Sequence, residues 1–251
     1  MKLKTTIQIV VAFTITAVVV LSNFAEDEDT QIYTRDAEPV VPNWAAISAW
    51  PPLPVNDVNP TPDPNQRFTA VVLDDSGSMG NDITAAKAAV VESLSAMAPT
   101  DAVAVVALNR GVVLDFLPVA EATTALPTAL APIQSEGSTP LTASVALARG
   151  MLEQQAAVAQ GFGTYRMIVT TDGAADDPQT LRNEIEAMAA ETPIQIATIG
   201  IGVDSRHVLR RDDLGDFVDV GNVAALGAAL QAAVAENTSF AAITAFSREE
   251  N

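Results

Sequence analysis

From Arg67 onward the chain alternates between two kinds of apolar pattern. Phe68 to Leu73 is apolar apart from Thr69, the composition of a strand buried on both faces. Asp82 to Met97 carries apolar residues at helical spacing, and Asn81 or Asp82 can cap its start. Ala102–Leu108 and Gly111–Leu117 read as two further strands. Their short connection, Leu108-Asn109-Arg110-Gly111, predicts an antiparallel hairpin. A helix is expected over Glu121–Ile133, interrupted by Pro127 and Pro132, and a long alanine-rich helix over Leu141–Ala159. The remainder predicts a strand (Tyr165–Thr170), a helix (Pro178–Ala190), two strands (Ile194–Ile199 and Phe217–Val220) and a final helix, Val223–Ala235. This alternation implies an α/β fold in three layers. A mostly parallel central sheet with one antiparallel edge strand lies between helices on both faces.

Two segments before Arg67 break the pattern. Lys2 and Lys4 precede the uncharged run Thr5–Ala25, which is followed by Glu26-Asp27-Glu28-Asp29. A helix of that length spans roughly 30 Å, the thickness of a hydrocarbon core. Cations before and anions after predict that the amino terminus stays inside while the rest is exported. Residues 1–25 are thus a signal-anchor or transmembrane helix, or else a cleaved signal peptide with Ile7–Leu21 as its apolar region. The expected location is single-pass membrane with the domain on the periplasmic or extracellular side, or secreted after cleavage. Residues 26–67 hold eight of the fifteen prolines, a density that blocks helix and sheet ladders and predicts an acidic, semi-rigid stalk. Within it, Trp44-Ala45-Ala46-Ile47-Ser48-Ala49-Trp50 is too apolar for pure linker. Docking on the folded domain is the favoured reading, ahead of contact with a bilayer or a partner. The domain is expected over 68–236 and a tail without clear pattern over 237–251.

Composition then removes whole classes of chemistry. A formal charge of −18 lacks the basic stripe that nucleic-acid binding needs. The absence of cysteine excludes disulfides, thiolate zinc sites, a cysteine nucleophile and a thioether lipid anchor. A single histidine, His207, leaves oxygen as the ligand chemistry for any metal. No phosphate-cradling Gly-x-x-x-x-Gly-Lys-Ser/Thr occurs, so no nucleotide is expected.

In sheets of this kind ligands gather beyond the carboxyl ends of the strands. The first strand ends in Asp74-Asp75-Ser76-Gly77-Ser78. On an extended turn Asp74, Ser76 and Ser78 point to one side, and Asp75 points away. Carboxylate and hydroxyl oxygens suit Mg²⁺ or Mn²⁺, with Ca²⁺ less well matched to a small hydroxyl-rich site. Gly137-Ser138-Thr139-Pro140 leads into the long helix, and Thr170-Thr171-Asp172-Gly173 ends another buried strand. Asp176 and Asp177, just beyond, are read as caps of the helix that starts near Pro178.

These three motifs together resemble the von Willebrand factor type A domain, whose Rossmann-like fold carries a metal-ion-dependent adhesion site. The resemblance spans about residues 68–236 and includes Lys87 in the first helix. It implies a divalent ion held by Asp74, Ser76, Ser78, Thr139 and Asp172, with one position left for a Glu or Asp carboxylate of a partner protein. Because few protein carboxylates touch the ion, it stays electrophilic, and an acidic chain can still capture an acidic group. The implied function is an exported adhesion or assembly module without catalytic activity. Two other readings remain open at this stage. One is a serine hydrolase, in which Ser78 in an elbow-like turn works with Asp172 and His207. Against it, Ser76 stands where that elbow has glycine, and His207 is expected in an exposed loop. The other is a stalked structural domain whose metal only steadies its loops.

Overall fold

The computed structural model describes residues 38–54, 63–204, 206–211 and 213–235. The expected membrane-spanning segment and the C-terminal tail lie outside these residues. Among the described residues no helix is long and apolar enough to cross a membrane.

Six strands form one sheet: β1 (Arg67–Leu73), β2 (Ala102–Ala107), β3 (Gly111–Pro118), β4 (Thr164–Thr171), β5 (Gln195–Ile201) and β6 (Asp216–Val220). Their order is β3-β2-β1-β4-β5-β6, and every pairing is parallel except β2 with β3. The three-layer architecture is therefore as the sequence implies. Its layers follow from the two-residue period of β1. Val71 and Leu73 face one side, where α2 (Asp82–Ser93), α3 (Val119–Leu130) and α6 (Leu226–Ala235) close the core. Phe68, Ala70 and Val72 face the other, covered by α4 (Leu141–Val158) and α5 (Pro178–Glu191). Both faces of β1 are covered, which is why it reads as a continuous apolar run.

Some boundaries differ from the sequence expectation. Pro127 does not interrupt α3, which starts earlier, at Val119, and ends at Leu130, two residues before Pro132. The helix predicted over Asp82–Met97 tightens after Ser93 into a 3-10 turn, Leu94–Ala96. There the hydroxyls of Ser93 and Ser95 donate to the carbonyls of Val90 and Glu92, competing with the backbone ladder.

The tryptophan patch is folded and docked. Trp44–Ser48 forms a short helix, α1, with Asn43 accepting at its start from Ala46 N–H. Asn43 N–H donates to Ala190 O at 2.7 Å, and Val40 N–H donates to Asp213 Oδ2 at 3.0 Å. Trp50 meets Tyr165 edge-on, with ring centroids 4.7 Å apart. Every one of these contacts lies at the amino-terminal edge of the parallel strands. Residues 38–54 thus cap the amino-terminal end of the sheet, opposite its carboxyl edge.

Candidate metal site

The chain path itself marks one location. From β1 the chain crosses through α2 to β2 on one side, and from β4 through α5 to β5 on the other. Outside the carboxyl ends of β1 and β4 lies the crevice where the winding direction reverses, the usual ligand position in open α/β sheets.

Asp74 leaves β1 into that crevice and is fully buried. Its Oδ1 accepts from Ser76 N–H at 2.9 Å. Its Oδ2 accepts from the Thr171 hydroxyl at 2.9 Å and from Asp172 N–H at 3.3 Å. The carboxylate is thereby oriented by both strands. Ser76 Oγ lies 3.0 Å from Ser78 Oγ, and the Ser78 hydroxyl donates to Asp172 Oδ1 at 2.7 Å. Four of the five expected ligands thus form one connected set of oxygens. Burial raises the pKa of the Asp172 carboxyl above the usual carboxylate range. The Ser78 bond works against that rise and the neighbouring Asp74 charge adds to it.

Thr139 arrives on the coil between α3 and α4, and this loop is stitched to the turn after β1. Gly77 N–H donates to Gly137 O at 3.1 Å, and Glu136 N–H to Asp75 O at 2.8 Å. The Ser135 hydroxyl donates to Ser76 O at 2.6 Å while accepting from Gly80 N–H. Thr139 O accepts from Asp176 N–H at 3.1 Å, which joins it to the loop of Asp172.

The donor set is all oxygen: two carboxylates with hydroxyls between them. Among the described residues no group of three or more His, Cys, Asp or Glu side chains is placed to hold a metal ion. Any ion held here therefore depends on serine and threonine oxygens. That chemistry fits a small hard cation such as Mg²⁺ or Mn²⁺ and leaves the ion's charge only partly neutralised.

Three neighbouring residues differ from, or go beyond, their sequence reading. Asp75 does turn away from the crevice. It is fully buried, its Oδ1 accepts from Asn109 N–H at 2.8 Å, and burial pushes its pKa up. Asp177 caps α5 through Thr180 N–H, whereas Asp176 reaches across to Ser138 and Thr139 instead of capping. His207, expected in an exposed loop, is only 6% exposed. Its Nε2 lies 3.1 Å from Gly173 O and its Nδ1 accepts from Leu209 N–H at 3.3 Å. Both contacts are satisfied by the neutral ring with its proton on Nε2. With both nitrogens so engaged, and the Ser78 hydroxyl bonded to Asp172 and Ser76, Ser78 and His207 are not paired.

The buried ring also carries a pH dependence. Burial holds the His207 pKa below 6.5, with Arg210 pushing the same way, and outweighs the raising effects of the Gly173 carbonyl, Asp204 and Asp74. A depressed histidine pKa means that the unfolded chain takes up the proton first. The associated stability is complete above pH 6.5 and is lost as pH falls below it. Thermal melts between pH 7.5 and 5.5 should show a decline for the natural chain that is smaller in His207→Gln. Equal declines would exclude this ring as the cause.

Sequence reasoning missed Thr171, Ser135, Asn109 and Asp176. Thr171 had a signal, a hydroxyl beside Asp172 at a strand end. The other three look like ordinary turn residues until the loops are brought together.

Comparison with known proteins agrees with this fold. Residues 69–175 match the family model described as the von Willebrand factor type A domain. No curated protein sequence matches the chain. Among solved structures, a von Willebrand factor type A protein from Catenulispora acidiphila is 21% identical with a TM-score of 0.57, covering 68% of this chain and 42% of that one. Proximal thread matrix protein 1 from the mussel byssus, with a zinc-occupied adhesion-site motif, is 15% identical at TM-score 0.57, covering 68% and 47%. Manganese-loaded TRAP protein of Plasmodium vivax is 14% identical at TM-score 0.54, covering 69% and 75%. The chain spans under half the length of the first two. The family match over residues 69–175, with the six-stranded sheet and the three loops at its carboxyl edge, marks this part of the chain as having the von Willebrand factor type A fold.

Proposed function

We propose that this is an exported, metal-dependent protein-binding module that captures a Glu or Asp side chain of a partner through a divalent cation, most simply Mg²⁺ or Mn²⁺. Domains of this family typically mediate protein–protein interaction and metal-dependent adhesion, and are generally interaction modules rather than enzymes. The observation that carries the reading is the 2.7 Å bond from Ser78 to Asp172, which joins loops 94 residues apart beside the buried Asp74.

In this reading Asp74, Ser76, Ser78, Thr139 and Asp172 hold the ion. When bound, the ion offers a partner carboxylate a strong charge-assisted bond. The protein's own part is orientation. Asp74 is fixed by Thr171 and Asp172 N–H, and the serines lie on a turn fixed by Gly77 and Ser135. The mussel and Plasmodium structures, with zinc and manganese respectively, support a divalent ion in this fold. Export is supported by the charge pattern around Thr5–Ala25, and the same segment would place the domain on the outer side of a membrane. The chain's −18 charge predicts that an acidic partner associates slowly, by metal capture rather than electrostatic steering.

A pull-down from the envelope extract of the same organism, in magnesium and in chelator, tests the proposal. Partners retained in magnesium should be released by chelator. Partner binding that is indifferent to chelator would refute metal capture.

A further inference from the structure

Of the five proposed ligands, Thr139 alone is delivered by a long coil, and the structure shows what holds it. Asn109, in the β2–β3 hairpin, lies on one side. Its Nδ2 donates to Ser138 O at 2.9 Å and to Asp75 Oδ1 at 3.2 Å. The Asp75 carboxylate fixes which way the amide faces, because a flipped amide would set two oxygens against each other. Asn109 lies so close to the loop that a Cβ at Gly137, where φ is +77°, would fall 2.3 Å from Asn109 Oδ1. Only glycine lets the loop pass there.

Asp176 lies on the other side. Its Oδ2 accepts the Ser138 hydroxyl at 2.5 Å, its Oδ1 accepts Thr139 N–H at 3.0 Å, and its own N–H donates to Thr139 O at 3.1 Å. Two of these bonds hold Thr139 itself and the third holds its neighbour Ser138, and all three are made by a residue four places after Asp172. Displacing the Asp172 loop would therefore carry Thr139 with it.

We infer that Asn109 and Asp176 are positioning residues that hold Thr139 in the metal site, with Asp75 as the support of Asn109. The inference rests on the metal-binding reading above. Outer-sphere partners of metal ligands act by fixing orientation, and their removal costs about 10- to 100-fold in metal affinity.

The test is Mn²⁺ affinity, by calorimetry or paramagnetic resonance, for the natural chain and for D172A, D176A, D176N and N109A. Melting in chelator is recorded for each. D176A and N109A should bind Mn²⁺ about 10- to 100-fold more weakly, with metal-free melting close to that of the natural chain. D176N should recover most of the affinity, since its amide can accept from Thr139 N–H and donate to Ser138 Oγ. Ser138→Ala, which removes a single bond and leaves the carboxylate untouched, should show a smaller loss in the same direction. Unchanged affinity in D176A and N109A, alongside loss in D172A, would overturn the positioning role and leave the metal site standing. D176N as weak as D176A would mean that Asp176 acts by its charge, which also overturns it. A natural chain that fails to bind Mn²⁺, or D172A binding as well as the natural chain, would instead refute the metal reading itself.

Discussion

Asp172→Ala is expected to eliminate the stabilisation that Mg²⁺ or Mn²⁺ gives the folded chain, while leaving the metal-free fold as stable as before or more so. Binding of an ion to the folded state alone adds about 2.7 kcal/mol at one hundred times its dissociation constant. For a domain of this size that amounts to a rise in melting temperature of roughly 5–10 °C. Asp172 is one of two carboxylates in the oxygen set, and its loss should weaken binding beyond the roughly 100-fold upper range for outer-sphere residues. The metal-free outcome follows from the direction of its pKa. Burial lifts the Asp172 carboxyl, so its ionised form is disfavoured in the fold, and alanine relieves that cost at the expense of one bond from Ser78. Differential scanning in chelator and in excess metal checks both halves. A natural chain whose melting ignores metal would defeat the expectation, as would a D172A chain that retains the metal-induced rise.

Asp101→Ala should produce the largest loss of stability, at the other end of the sheet. Asp101 is 2% exposed. Its Oδ2 accepts from Arg67 Nε at 2.8 Å, Arg67 Nη2 at 2.5 Å and Ala98 N–H at 2.9 Å, while Oδ1 accepts from Arg67 N–H at 3.2 Å. Arg67 also donates to Val234 O at 2.9 Å near the end of α6, so the same guanidinium joins β1 to the last helix. Removing one partner of a buried, hydrogen-bonded pair costs about 3–5 kcal/mol, because the other charge is left without compensation. Urea denaturation should show that loss, and Asp101→Asn, which keeps an acceptor, a smaller one. A loss below about 1 kcal/mol, the range of exposed pairs, would show that Arg67 finds solvent instead.

The fold was legible because β1, β2, β4 and β5 are covered on both sides and their apolar runs announce it. The helices α4 and α5 were legible from their spacing. The proposed ligands stood out for a related reason. Asp74, Ser76 and Ser78 alternate on one turn, and Thr139 and Asp172 each follow a glycine-containing or strand-end signature. What escaped was whatever depends on two loops meeting. Asn109 is indistinguishable from any hairpin asparagine until Gly137 lies against it, and Asp176 resembles a helix cap until Ser138 and Thr139 reach it. His207 was misread because its polarity suggested solvent, whereas the 173 and 209 backbones supply partners for both nitrogens. Pro127 was misread because propensity gave it the power to break a helix whose apolar side, Val119, Ala122, Leu126 and Leu130, is anchored in the core.

The docking of residues 38–54 at the amino-terminal edge of the sheet has a mechanical consequence. The chain enters the domain at one pole, and the proposed metal site occupies the other. A tug between whatever holds the amino terminus and whatever grips the ion would run lengthwise along β1 and β4. The parallel pairing from Arg67 with Thr164 to Val72 with Val169 would then be loaded in shear, all rungs sharing the force, instead of being unzipped one rung at a time.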